Sequence, residues 1–371
     1  MDSEKKKINV TRSSMPYFEE YCEEIKKLWD NRWLSNRGVE HQEFEKELCE
    51  RFGCEFVSLF ANGHVALEVT LDAFNFPKGK EVITTPYTHC STTHSIVRNG
   101  LIPVFVDVKE DNYTIDPVLV EKAITPNTVA IVATHVYGFM CNVESIEEIA
   151  KKHNIKVIYD AAHAFGVKYK GKDATSFGDA AMISCHATKV FHTIEGGITV
   201  FHDQNVWKHV DQLTNFGFVS HEQVDYVSTN ARMNEFEAAM GLCNLRHIES
   251  EIEKRKAAAE RYWERLSGIK GIKLLKPNED TIWNYAYFPI LFDGYKYDRN
   301  QIQEMLANEN IFARKYFYPL TNDLNCYKEK YGWSVANTPV AYKAANTVLT
   351  LPMYADLTVE DVDRICDVIL K

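Results

Sequence analysis

From residue 55 onward, short apolar runs alternate with amphipathic stretches. Residues 55–60, 81–84, 103–108, 129–134 and 156–159 read as strands, while 65–74 and 143–153 carry helical spacing. Asp116 followed by Pro117 marks another helix start, because proline's missing N–H costs nothing in a first turn. Upstream, residues 40–52 place Phe44, Leu48 and Phe52 on one side of a helix that Gly53 can end. Strand–helix alternation predicts a mainly parallel sheet covered on both faces, with ligands at the carboxyl ends of its strands. Two further apolar runs, 180–183 and 198–201, add buried strands. A single long helix is expected over 234–266, and beyond Gly268 come short strands, notably 283–292, with helices near 297–308 and 358–370. The expected fold class is α/β. It divides into an N-terminal arm (1–38), a large domain (39–250), and a bridging helix with a smaller α/β domain (251–371).

Composition narrows the class without naming a chemistry. At 371 residues the chain exceeds one ordinary core, and 25% charged with 45% hydrophobic residues is globular usage. A net charge of −10 argues against general nucleic-acid binding, though local donors could still hold an anionic small molecule. No 18-residue apolar run and no signal-like h-region follow the basic start, so the expectation is a cytoplasmic protein with no membrane partner. Nine cysteines without a C-x-x-C pair suit reduced thiols. Cys185 reads as a packed thiol. Five histidines (His64, His89, His163, His186, His192) fall near strand ends, but none has zinc-ligand spacing, so no metal is expected.

The chemistry concentrates around Lys189. It lies in SCHATKVFHTIEGG, a glycine-ended connection between two buried strands, with Val190 and Phe191 directly after it. Apolar surroundings disfavour a charged amine, and a neutral amine is what an imine needs. Taken alone, this stretch describes a surface lysine in a hairpin loop. Asp160 ends an apolar strand, where a buried carboxylate needs a partner such as a protonated ring nitrogen, or else caps a helix. Asn62, Gly63 and His64 join a strand to a helix start, which suits a phosphate. Tyr87 and His89 follow another strand end, where a planar side chain could lie against a heteroaromatic ring. An imine lysine, an upstream carboxylate and a glycine-bearing helix start together are the protein parts of a pyridoxal phosphate site.

The sequence resembles the DegT/DnrJ/EryC1/StrS family of sugar aminotransferases, fold type I pyridoxal phosphate enzymes. The likeness runs from RWLSN through NGHVAL, EVITTPYTHCSTTHSIVRNG, VIYDAAHAFG, SCHATKVFHTIEGG and NARMNEFEAAMG to ARKYFYPL and LPMYADLT. It implies a sheet of the seven-stranded type. It also implies that Lys189 bonds covalently to pyridoxal 5'-phosphate, that Asp160 faces the pyridine nitrogen, and that Ser184, Gly63 and His64 hold the phosphate. Asn230 matches an asparagine that reaches the neighbouring subunit's phosphate, so a homodimer with shared sites is implied. His64 replaces the usual threonine or serine, His89 an aromatic residue that stacks on the cofactor, and His163 a glutamine at the phenolic side. Arg232, Arg314 and Lys315 are candidate donors to a nucleotide diphosphate, or else solvated surface charges.

Related dehydratases carry histidine where Lys189 stands, so the resemblance implies transamination. Its implied substrates are glutamate and dTDP-4-keto-6-deoxyglucose, aminated at C4, in biosynthesis of deoxyamino sugars such as those of O-antigen or lipopolysaccharide. C3 amination of a 3-keto sugar and a non-catalytic regulator on the same fold are the alternatives. A nicotinamide oxidoreductase is disfavoured by the missing G-x-G-x-x-G turn.

Overall fold

The computed structural model describes residues 6–328 and 333–371. Its organising element is a seven-stranded sheet. In chain order the strands are β1 (Phe56–Phe60), β2 (Glu81–Thr84), β3 (Ile102–Phe105), β4 (Thr128–Thr134), β5 (Lys156–Asp160), β6 (Ala180–Ser184) and β7 (Gly197–Phe201). Their spatial order is β1-β7-β6-β5-β4-β2-β3. β7 is antiparallel to both neighbours, and the remaining pairs are parallel. The start of β7 therefore lies beside the carboxyl ends of β1 and β6, with Phe60, Gly197 and Ser184 in register. Thr134, Asp160 and Met182 form a second level row on β4, β5 and β6.

Helices cover both faces, as parallel strands require, and two cores form there. One contains Phe44, Ile131, Tyr159 and Phe191; the other contains Leu67, Val132, Ile158 and Val210. The helices are α1 (Phe18–Asn31), α2 (Val39–Phe52), α3 (Gly63–Ala73), α4 (Cys90–Arg98), α5 (Pro117–Ala123), α6 (Val143–His153) and α7 (Gln204–Leu213). Caps fix several starts: Asn62 accepts from the Val65 N–H, Asp116 from Val118 and Asn142 from Ser145. The sequence pattern did not reveal α1, α4 or α7. In α4 the run Ser91, Thr92, Thr93 has no clear apolar stripe, yet Thr92, Thr93, Ser95 and Ile96 are all buried.

The single helix expected over 234–266 is two helices, α8 (Glu235–Leu245) and α9 (Ile248–Leu266). α8 is buried on nearly every side between α1 and α2, whereas α9 is amphipathic and packs on α12 (Val359–Leu370). One straight rod cannot satisfy both demands. The break falls where Arg246 turns out to ion-pair with Glu20 and Glu24, and His247 Nε2 lies 2.7 Å from Glu20 Oε2.

A separate three-stranded sheet, β8 (Ile272–Leu274), β9 (Phe288–Phe292) and β10 (Val348–Leu351), carries its own core with α9, α10 (Arg299–Asn308) and α12. α11 (Pro339–Thr347) precedes β10. Ile8 from the N-terminal arm is buried in this core. The strand expected over 283–292 begins only at Phe288. Before it, Trp283 Nε1 donates to the Tyr137 carbonyl, and Asn284 Nδ2 donates to the carbonyls of His163 and Phe165. Those bonds hold residues 283–287 against the large sheet and out of the small one. No helix among the described residues is long and apolar enough to cross a membrane.

Candidate active site

The loop between β6 and β7 starts and ends at the carboxyl edge of the sheet and carries Lys189. Val190 and Phe191 anchor it: both are buried, and the Phe191 ring stacks on Phe165 at 4.1 Å. Lys189 is half-buried, and its Nζ donates to Tyr287 Oη at 3.3 Å. Tyr287 meets the His163 ring edge-on at 4.7 Å, and it lines a small void together with His163, Ser184 and Lys189. The departure of residues 283–287 from the small sheet is what brings Tyr287 here.

Asp160, at the end of β5, is 4% exposed. Its Oδ2 accepts from Thr92 Oγ1 at 2.6 Å and its Oδ1 from the Ala162 N–H at 3.1 Å. His163 lies three residues on and is equally buried. The Tyr137 N–H donates to its Nδ1 at 3.1 Å, and burial with the charges of Lys189 and His89 holds its pKa well below the ordinary value. The ring is therefore neutral with its proton on Nε2, a donor beside the void.

A phosphate-sized anion has a fitted place at the start of α3. Asn62 satisfies the Val65 and Ala66 N–H groups, while those of Gly63 and His64 have no intrahelical acceptor. A Cβ on Gly63 would lie 2.9 Å from Ser184 Cβ and 3.0 Å from its hydroxyl, so only glycine lets the helix start sit this close to β6. The expected phosphate set of Gly63, His64 and Ser184 thus comes together. His64 is also engaged laterally, with Nδ1 2.9 Å from Ser91 Oγ and Nε2 3.4 Å from Glu68 Oε2.

His89 sits exposed at the rim, where its Nδ1 accepts from the Ser91 N–H and caps α4. Loss of hydration and the Lys189 charge lower its pKa. Hydroxyl and N–H donors, a carboxylate, an amine and a neutral imidazole in one cluster match the phosphate, ring nitrogen, aldehyde and phenolic oxygen of pyridoxal phosphate. Cys185 is fully buried, and burial pushes its thiol up, as expected for packing.

Other expected residues lie outside this cluster. Residues 230–232 run beside the end of β1, through an Ala61 N–H to Ala231 carbonyl bond and a bridge between Phe60 and Arg232. The Asn230 side chain is exposed and accepts from Arg232 Nε at 3.3 Å. Burial lowers the Arg232 pKa. Arg314 pairs by its backbone with Thr350 of β10 and exposes its side chain. Burial and the Arg299 charge lower the Lys315 pKa. Both are tied to the cluster through Tyr316, whose ring packs edge-on against Tyr287 at 5.8 Å. Among the described residues one acidic group has metal-like spacing, Glu24, Glu40 and Glu43, and Lys27 already sits among them at 3.0, 2.8 and 3.4 Å.

Sequence reasoning missed Tyr287 and Thr92. Tyr287 hid inside an apolar run, and its contact is made across 98 residues. Thr92, four residues after Thr88, had a helical spacing that could have been noticed had α4 been recognised.

Comparison with known proteins bears on the family and the fold. The DegT/DnrJ/EryC1/StrS aminotransferase family matches residues 17–370. The dTDP-4-amino-4,6-dideoxy-D-glucose transaminase of Escherichia coli is 42% identical over 98% of both chains. Among solved structures, DesI in the presence of its TDP-sugar product is 30% identical and superposes with a TM-score of 0.92, covering 98% of this chain and 92% of that one. The PLP form of the putative sugar aminotransferase Spr1654 from Streptococcus pneumoniae is 26% identical with a TM-score of 0.91, covering 98% and 97%. With sequence, fold and site converging, the chain belongs to the DegT/DnrJ/EryC1/StrS aminotransferase family.

Proposed function

We propose that this enzyme is the pyridoxal-phosphate-dependent transaminase that moves the amino group of glutamate to C4 of dTDP-4-keto-6-deoxy-D-glucose, forming dTDP-4-amino-4,6-dideoxy-D-glucose. The observation that carries this is the convergence of Lys189, Asp160 and Ser184 at one strand edge, in a chain 42% identical over its length to a transaminase named for that sugar. Bound pyridoxal phosphate supplies an aldehyde that takes up and returns the amino group, and a ring that accepts electrons from the carbon losing its proton. Each chain residue has a distinct task. Ser184 and the N–H groups of Gly63 and His64 bind the phosphate, with the positive end of α3 behind them. Asp160 keeps the ring nitrogen protonated by offering it a buried carboxylate. His163 would offer its Nε2 proton to the phenolic oxygen, and His89 would supply a planar side chain for the ring.

Lys189 carries the amine that first anchors the aldehyde. Once freed by glutamate, its Nζ would accept the proton leaving the glutamate α-carbon and hand it on within the same half-reaction, and in the second half it would act in the reverse sense, delivering a proton to the sugar C4. Positioned proton transfer of this kind is worth about 10²- to 10⁴-fold. Tyr287 Oη accepts from that Nζ and restrains it near the reacting carbon. Arg314 and Lys315 bind the nucleotide diphosphate. Asn230 serves the active site of a second subunit in a homodimer, which accounts for its exposed side chain, and the half-buried Arg232 paired with it is a further donor to the nucleotide diphosphate. The enzyme works in the cytoplasm.

The test is the absorbance of purified protein with pyridoxal phosphate, before and after borohydride and then glutamate. A band that borohydride removes and glutamate converts, followed by amination of a 4-keto but not a 3-keto dTDP sugar, supports the whole reading. No band at saturating cofactor overturns it. Amination of the 3-keto sugar alone moves the reaction to C3, and the absence of the band leaves the regulator.

A further inference from the structure

Asp160 is tied from behind by a row of hydroxyl groups that the reaction described above does not use. Thr92 Oγ1 donates to Asp160 Oδ2 at 2.6 Å; Thr88 Oγ1 lies 2.8 Å from Thr92 Oγ1; Thr134 Oγ1 donates to Thr88 Oγ1 at 3.1 Å. All four residues are buried, none more than 4% exposed. They come from three elements: Thr134 ends β4 level with Asp160, Thr88 follows β2, and Thr92 lies in the first turn of α4.

The direction of this row is fixed by valence. A carboxylate only accepts, so the single Thr92 proton is committed to Asp160. Thr92 oxygen must then accept from Thr88, whose own oxygen accepts from Thr134. A helical serine or threonine usually donates back to the carbonyl four residues earlier. Ser95 of the same helix does so, to Ser91, and Thr70 of α3 does so, to Ala66. Thr92 does not; in its place four residues back is the Thr88 hydroxyl. Three aligned O–H dipoles polarise one another, and the last ends on a charged acceptor in a water-poor site, where such a bond is strongest.

We propose that Thr134, Thr88 and Thr92 form a one-way hydroxyl relay that fixes the orientation of the Asp160 carboxylate toward the cofactor's ring nitrogen, with Thr92 as its principal positioning residue. With the Ala162 N–H holding the other oxygen, both carboxylate oxygens are restrained. The inference rests on the proposed pyridoxal phosphate reading.

The experiment uses the holoenzyme and the variants Thr92→Val, Thr92→Ser and Thr134→Val. Each is read by absorbance titration with pyridoxal phosphate, by the position of the bound band, and by kcat and KM for glutamate. Thr92→Val is expected to weaken cofactor binding about tenfold and to lower kcat about tenfold at unchanged KM, with a shifted band. Thr92→Ser should restore all three. Thr134→Val should act in the same sense but less, because two hydroxyls intervene. Wild-type affinity and band in Thr92→Val, identical behaviour of the Ser and Val variants, or a larger effect from Thr134→Val would each overturn the relay. Should Thr92→Val fail to fold, Thr134→Val decides: a small shift in the same sense supports the relay, and no shift overturns it. If wild-type protein itself gives no band, it is the functional reading that fails, before the relay is in question.

Discussion

The strand-end cluster and the outer charged segments differ in how completely the chain satisfies its own polar groups. Asp160, His163 and the threonines behind them are buried and hydrogen-bonded to one another or to nearby backbone. Asn230 and Arg314, by contrast, are exposed, with Asn230 paired only loosely to Arg232 at 3.3 Å. A buried polar group without a partner is costly, so the inner set must be organised before any ligand arrives. The outer set has no such obligation, and its geometry is free to be completed by a substrate or a second subunit. Under the proposed function, the inner region would supply chemistry and the outer region selection.

The largest expected effect lies at the centre of the inner region. Lys189→Ala should reduce sugar amination by at least about 10³-fold, measured as product by chromatography, while cofactor still binds but resists borohydride trapping. Turnover near wild type would remove the distinction between the regions.

The inner region should also betray its burial through pH. His135, beside Asp160 at the end of β4, is fully buried and stacked on Tyr159 at 4.5 Å, and burial lowers its pKa to about 3. Its ordinary value is about 6.5, so the unfolded chain takes up a proton that the folded chain refuses. Its contribution is complete above pH 6.5 and is lost as pH falls toward 3, by about 1.4 kcal/mol per unit. Urea unfolding at pH 7 and pH 5 should show that loss, and His135→Gln should lessen it. An equal slope in both proteins would place the sensitivity elsewhere.

In the outer region the effects should appear in binding. Arg314→Ala should raise KM for the nucleotide sugar about tenfold with kcat nearly unchanged. A fall in kcat alone would move Arg314 into the inner set. Asn230→Ala should weaken cofactor binding only a few-fold by absorbance titration, and mixing it with Lys189→Ala protein should produce hybrid dimers in which one site regains wild-type cofactor affinity. Absence of any regain would argue that each site is built from one chain.

Much of the inner region was legible in the sequence because it follows from periodicity. Alternating apolar runs gave the parallel sheet, and the carboxyl ends of those runs carried Asp160, Ser184 and the approach to Lys189. Gly63 was readable as part of a strand-to-helix turn, although its necessity came from a contact with Ser184, 121 positions away, that periodicity does not encode. The helix expected over 234–266 looked continuous because helical spacing persists through Arg246 and His247. Only the packing of α8 and α9 against different neighbours forces the break.

What the sequence by itself determined is where most strands end, because those ends are set by local alternation and turn chemistry; β3 is the exception, stopping at Phe105 where the expected strand runs on to Val108. Which of those ends meet was decided by the tertiary structure. The β1-β7-β6-β5 order puts Ser184 against Gly63, and residues 283–287, held by Trp283 and Asn284, bring Tyr287 to Lys189. The relay behind Asp160 likewise exists only once three elements pack together. Hydroxyl groups carry no periodic signal, and most buried ones find partners only among the groups that packing brings near.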